Sequence, residues 1–314
     1  MDTRTMRALP VLLALGGTWG ASFLFIKVLL DHTGPLEVAF GRCFLGVIAV
    51  AAFVLVSRRP LHVSPGLVRR VSVMSVVNNV IPFALIAWAE THIPSGTASI
   101  LNATVPIFTA MVAVALLDEE RMTLMRLGGL ILAFLGVVVL TGSDVTDIAS
   151  SNVLGELAVV GAAASYGAGT VYTRRVLHGQ DPVSVSLVQL VMSSAILLAI
   201  LLVVRTGSPD FSLSLKAWGS ILGLGLAGTG IAYIAFFWLI ENLGSVRATL
   251  VTYIVPIVAV FLGWIALGES VGVNTIAGGL LIVAGVASVM RGQAPARRST
   301  IIGPVGVHAS VNAD

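Results

Sequence analysis

Two stretches of this 314-residue chain copy one another at a fixed distance, and that duplication limits the fold more than any other feature. Between Pro94 and Thr109, the residues Ser95, Ser99, Asn102, Pro106 and Thr109 recur at spacings of four, three, four and three. Read as a helix, that spacing puts all five on one face. The other faces carry Ile100, Leu101, Val105, Ile107, Phe108, Met111 and Val112. Ser245, Thr249, Thr252 and Pro256 repeat the stripe, each 150 residues after its counterpart. Flanking positions agree in the same register: Ala98 with Ala248, Glu119 with Glu269, and Gly128 and Gly129 with Gly278 and Gly279. A tract this long in one register marks an internal duplication.

A polar stripe on an apolar segment implies that one face meets water or polar partners while the rest meets lipid or packed helices. Composition agrees, with 57% hydrophobic and 11% charged residues against about 25% charged in a soluble domain. Mean hydropathy is +1.00. Ten apolar spans of bilayer-crossing length follow, at 8–30, 36–57, 70–90, 96–117, 124–141, 154–174, 183–204, 216–240, 246–267 and 272–290. Arginines collect in alternate loops (Arg58, Arg59, Arg69, Arg70, Arg121, Arg126, Arg174, Arg175), and the opposite loops hold Asp31, Glu37, Glu90, Asp144 and Asp147. The positive-inside rule then expects both termini in the cytoplasm. Basic residues placed this way report topology, so no nucleic-acid partner is expected.

Each half holds five spans. The first two spans of each half match at an offset of 147, which pairs Lys27 with Arg174, Pro35 with Pro182, Arg42 with Gln189 and Trp19-Gly20 with Tyr166-Gly167. An odd number of spans makes the second copy enter the membrane from the other side. The halves are expected to be inverted repeats about a two-fold axis in the membrane plane, an arrangement typical of secondary transporters. The division expected is a first repeat over 8–141, a polar linker over 142–152, a second repeat over 153–290, and a cytoplasmic tail over 291–314 that lacks apolar periodicity and is read as disordered.

The run Trp19-Gly20-Ala21-Ser22-Phe23, Pro35 followed by Arg42, and the stretch from Ala98 through Pro106 to Leu117-Asp118-Glu119 and Gly128-Gly129 resemble an EamA repeat. Ala248, Pro256, Leu267-Gly268-Glu269 and Gly278-Gly279 repeat the resemblance. The chain is thus similar to the EamA branch of the drug/metabolite transporter superfamily, which includes YddG-type amino-acid and metabolite exporters. The first copy departs from the family in reading Leu-Asp-Glu where Leu-Gly-Glu is usual. The resemblance implies an all-α integral membrane protein of ten transmembrane helices in two inverted five-helix repeats. It also implies a bacterial inner-membrane location and a central cavity lined by spans one, three, four, six, eight and nine. Carried onto this chain, that lining is Trp19, Ser22, Asn78, Asn79, Ser99, Asn102, Tyr166, Thr170, Tyr233, Trp238, Thr252 and Tyr253. Aromatics beside amides and hydroxyls suit a substrate with an apolar part and a polar head. The competing reading is that the hydroxyls only join neighbouring helices.

Pro106 and Pro256 fall mid-span, where each removes a helix hydrogen bond and could serve as a hinge or a fixed kink. Arg42 lies inside span two, and an arginine at that depth pairs with an acid or faces a polar path. Lys27 and Glu37 lie towards the same membrane side, so the three form either a carboxylate-attracting entrance for anionic or zwitterionic substrates or a structural ion-pair cluster. Glu119 and Glu269 are read as holding loop geometry through backbone amides, and the glycine pairs, with Gly136 and Gly285, as points of close helix approach.

The expected activity is secondary transport: export of amino acids or related metabolites by alternating access, with multidrug efflux as the alternative and nucleotide-sugar or carboxylate transport behind it. An enzyme is not expected. The chain's two lysines, Lys27 and Lys216, follow no phosphate-binding loop, and its five histidines lie in loops or the tail, so neither ATP use nor a metal centre is implied. No cofactor is called for, and the partners are a small-molecule substrate and membrane lipid, in a monomer or homodimer. The acids that are candidates to carry protons, Glu37, Glu90, Glu156 and Glu241, all stand near span ends, which favours facilitated efflux over proton coupling.

Overall fold

The structure, a computed structural model, describes residues 3–117, 121–142, 151–176, 179–204, 214–243 and 251–291. Glu119, Ser245, Thr249, most of the linker and the tail lie outside the described residues. The described residues form ten helical rods and no strand. These are α1 (Thr3–Leu30), α2 (Pro35–Ser57), α3 (Pro65–Ala89), α4 (Ser95–Leu116), α5 (Leu124–Thr141), α6 (Ser151–Val176), α7 (Pro182–Val204), α8 (215–243), α9 (Val251–Leu267) and α10 (Val273–Arg291). Eight of them are long and apolar enough to cross a membrane, while α9 is apolar but shorter and α6 is long but less apolar.

Starts are set by residues that satisfy the first free N–H groups, a need that is acute next to lipid. Ser64 accepts from Leu67 N at 3.2 Å, Thr123 from Arg126 N at 3.2 Å and Ser214 from Ala217 N at 3.2 Å. Asp181 accepts from Ser184 N and its hydroxyl. Partial burial opposes its charge, yet those bonds, with Arg59 and His62 nearby, hold its carboxyl below the usual value. Gly268 ends α9 with φ +68, a left-handed conformation.

The main contacts between rods obey one rule. α1 packs on α8 and α9, and α6 packs on α3 and α4; α2 packs on α7 and α8, and α7 on α2 and α3. Replacing each element by its repeat mate reproduces the same set, as a two-fold axis requires. The agreement extends to residues. A Cβ on Gly20 would lie 2.6 Å from Val258 Cβ, and one on Gly167 would lie 2.7 Å from Phe108 Cβ. These are the same contact, made once by each half.

Directions show the inversion. Gly129 faces the Gly285 carbonyl and Gly136 faces that of Gly278, so seven steps up α5 are seven steps down α10. The two helices are antiparallel. Gly16 meets Ile254 and Gly20 meets Val258, so α1 and α9 are parallel. Both relations are those of consecutive spans in two oppositely inserted copies.

Two expectations are corrected here. The stripe helix is broken: its first segment ends at Asn102, a turn follows at Ala103 and Thr104, and Pro106 opens a second segment beginning at Val105. Pro256, its mate, sits inside the continuous α9. Second, Gly128 meets nothing within 4 Å and Gly279 meets Ile100, so close approach falls to Gly129, Gly136, Gly278 and Gly285.

Close approach of α5 and α10 gives a direct test. Gly136→Leu places side-chain atoms where the Gly278 carbonyl oxygen, 2.8 Å from an added Cβ, already stands. A loss of about 1–3 kcal/mol is expected, read as a lower thermal midpoint in detergent, while Gly128→Leu stays near wild type.

Candidate functional site

Rods α3 and α8 are repeat mates, and each contains a π-helical stretch in the same register: Val76–Val80 in α3 and Gly223–Ile231 in α8. A π-turn shifts the hydrogen-bond pattern and leaves carbonyl groups needing other donors. The first helix of each half supplies one. Trp19 Nε1 donates to the Gly228 carbonyl at 3.2 Å, and Ser165 Oγ donates to the Val77 carbonyl at 2.6 Å. Gly228 is required there, since a Cβ would approach Ser22 Oγ to 2.8 Å. Phe236 packs on the Trp19 ring with centroids 5.4 Å apart.

Two mated polar pairs stand beside these stretches. Asn79 Oδ1 accepts from Gln189 Nε2 at 2.8 Å and from Tyr233 OH at 3.0 Å. Arg42 Nε donates to Thr229 Oγ1 at 3.3 Å. Asn79 and Thr229 differ by 150 and Arg42 and Gln189 by 147, so the two pairs are one contact made by both halves. Only one of them carries charge. The Arg42 guanidinium also stacks on Phe83, 3.7 Å from the ring centroid, which steadies its face. Its two Nη groups make no hydrogen bond among the described residues, and the residue keeps 8% exposure. Asn79 Nδ2, Asn78 Oδ1 and Asn102 Oδ1 are likewise buried without partners. Such atoms cost about 1–3 kcal/mol each, so unpartnered ones are more typical of a site than of a packing seam.

The end of the bundle bearing Asp31, Glu90 and Glu269, called the acid-loop face below, is drawn together by contacts between rods. Glu269 accepts from Ser95 N at 2.7 Å, Ser95 Oγ at 3.0 Å and Gly96 N at 3.1 Å, holding the α9–α10 loop on the start of α4. This is the backbone-amide role expected of it, now seen to join the two halves. A carboxylate at a helix N-terminus is favourable in its own right. Lys27 donates to the Glu90 carbonyl and, at 3.0 Å, to that of Ile93, tying α1 to α3.

The residues singled out from the sequence therefore divide. Trp19, Ser22, Asn79, Tyr233 and Arg42 gather around the π-helical stretches, with Tyr166 next to Phe83 at 6.5 Å between centroids. Asn78 borders them, packed over Gly169 and bonded to Thr173 at 3.5 Å. Ser99 is buried and bonds the Gly96 carbonyl of its own helix, and Asn102 ends the first segment of α4. Thr170 is exposed and bonds the Tyr166 carbonyl; Tyr253 points to Met290 Sδ at 3.2 Å; Trp238 is 38% exposed; Thr252 is half-buried in the first turn of α9. Glu37 stays in the first turn of α2. Pro256 borders an apolar groove of about 400 Å³ between α9 and α10, lined also by Ile257, Phe261 and Trp264, whose chemistry suits lipid. Thr229, Gln189, Phe83 and Ser165 were missed. The two offsets paired Arg42 with Gln189, and following the second from Asn79 would have reached Thr229.

The EamA-like transporter family matches this chain twice, over residues 6–142 and 153–291. The chain belongs to the EamA-like transporter family. Relatives agree in kind. It is 26% identical to the uncharacterized transporter YoaV of Bacillus subtilis, over 85% of this chain and 91% of that protein. It is 27% identical to a probable terminal-alkyne amino-acid exporter of Streptantibioticus cattleyicolor, over 90% and 92%. It is 26% identical to the uncharacterized inner membrane transporter YedA of Escherichia coli, over 82% and 86%. A solved crystal structure, 18% identical, shares the fold with a TM-score of 0.63 over 92% of this chain and 97% of the other. This EamA-like protein is thus a multi-span membrane transporter with bacterial relatives and is not an enzyme.

The carbonyl donors of the EamA-like core are testable. Trp19→Phe keeps the ring on Phe236 but leaves the Gly228 carbonyl without its donor. A loss of about 1–3 kcal/mol in thermal unfolding is expected, and Ser165→Ala should produce a similar loss at the mated stretch.

Proposed function

We propose that this EamA-like protein exports amino acids or related small metabolites by alternating access, its two halves exchanging shape around the paired contacts Arg42–Thr229 and Gln189–Asn79. The observation that carries the reading is Arg42: a guanidinium held by Thr229 on its Nε edge and Phe83 on its face, with both Nη groups unbonded among the described residues. Two parallel Nη donors match the two oxygens of a carboxylate, the geometry in which arginine outperforms lysine. Phe83, with Tyr166 packed on its ring, supplies apolar surface beside it. One relative being named an amino-acid exporter points the same way. Arginine-rich loops opposite the acid-loop face favour that face as external, with cytoplasmic termini, in a bacterial inner membrane.

Uptake of a panel of radiolabelled amino acids into proteoliposomes tests this. Saturable movement of some of them is expected. Arg42→Gln, which installs the residue found at the mated position, should weaken it about tenfold to a hundredfold, the worth of hydrogen bonds to a charged group. If no amino acid moves while the protein remains folded, or if Arg42→Gln transports as wild type does, the carboxylate reading fails.

A further inference from the structure

Glu90 follows the last residue of α3 and has no solvent exposure at all. Neither of its carboxylate oxygens has a hydrogen-bond partner. The nearby cation does not pair with it: Lys27 directs its ammonium to the Glu90 and Ile93 carbonyl oxygens, at the C-terminal end of α3. The other charges acting on Glu90 are Arg42 from α2 and Glu269 from the α9–α10 loop, which oppose one another. On α6, Gly155 packs against the Ala89 carbonyl, and the adjacent acid Glu156 accepts a bond from Thr141. His92, two residues on, bonds Thr91 and lies against the Trp88 ring.

A carboxyl group so placed has two very different states. Protonated, it leaves acceptors unfilled at modest cost. Ionised, it is a buried charge without donors, a far larger cost that admission of water removes. The same residue sits where the acid-loop face is tied together, next to the Lys27 tie between α1 and α3 and within the field of Glu269, which ties the α9–α10 loop to α4.

We propose that Glu90 is a proton-binding site that controls opening of the acid-loop face. A proton on one carboxylate oxygen keeps the face closed. When the O–H bond breaks, its electron pair stays on the carboxylate and the proton passes to water. The charge left behind repels Glu269 and draws water between the rods, so the tie of the α9–α10 loop to α4 loosens. Reading the sequence alone put Glu90 among span-end acids and favoured facilitated efflux; complete burial without donors is what the fold adds. The inference deepens the transporter reading, since it would give an exporter access to a proton gradient, but its test uses no substrate.

The full-length protein in lipid nanodiscs, with Cys43→Ser and spin labels at Asp31→Cys and Ser270→Cys, reports the distance across this face. As pH rises from about 5 to about 9, the population at long distance should grow, changing the open-to-closed ratio about tenfold or more. Glu90→Gln should hold the short distance at every pH, and Glu90→Asp should recover a pH response, which separates loss of the proton site from misfolding. Infrared spectra of the unlabelled wild type should show a protonated carboxyl band that Glu90→Gln removes. A Glu90→Gln protein that opens with pH as wild type does, a wild type that does not respond, or a carboxyl band unchanged by Glu90→Gln would each overturn the proposal. If the distance responds as expected while no amino acid is transported, the substrate reading alone falls.

Discussion

Inside a bilayer a carbonyl released from its helix must find a donor within the protein, because lipid offers none. This transporter releases carbonyls in both copies of its third span, at Val76–Val80 and Gly223–Ile231, and much of its centre can be read as the answer. Trp19 and Ser165 come from the first span of each half to meet Gly228 and Val77. Their helices must therefore lie against α8 and α3, which fixes which half packs on which. Widening of the turns brings Asn79 and Thr229 to face the second spans, where Gln189 and Arg42 wait. A local irregularity of backbone thus positions both the interface between halves and the polar residues within it.

The two-fold relation is close in backbone and loose in chemistry. Gly20 with Val258 repeats as Gly167 with Phe108, since a backbone approach admits no substitute for glycine. Arg42 with Thr229 repeats as Gln189 with Asn79, the same hydrogen-bonding partnership with the charge removed from one side. Equivalent backbones suit the exchange of shapes proposed for the two halves. Unequal side chains suit the proposed recognition of a substrate carboxylate, since only one of the paired contacts carries charge. The two mated prolines are unequal as well, for Pro106 opens a second helical segment in α4 whereas Pro256 is absorbed within α9.

Ten spans, their duplication and their inversion were legible in the sequence because hydropathy and a constant register survive whatever the side chains do. Trp19, Asn79, Tyr233 and Arg42 were legible as polar or amphipathic residues too costly to place in a span without purpose. Other features were hidden for identifiable reasons. A π-turn has no compositional signature beyond the glycines of α8, and α3 achieves the same turn with Val-Val-Asn-Asn-Val. Without that turn in view, Thr229 looks like any span threonine. The stripe reads as meeting water or polar partners, and Ser95 does meet one in Glu269; Ser99, expected to line a cavity, instead bonds its own helix, and the break after Asn102 ends the regular face early. Glu90 stands at a span end in sequence yet is buried, since α1 and α6 close over the end of α3.

Whether the Arg42–Thr229 contact is the point reached alternately from the two sides is what the account stands on. Thr229→Cys in a Cys43→Ser background, treated with a membrane-impermeant thiol reagent in right-side-out and in inside-out vesicles, measures it most directly. The account predicts labelling from both sides, slowed in each case by a transported amino acid. Absence of labelling from both sides, or labelling from one side alone that no substrate alters, would contradict it.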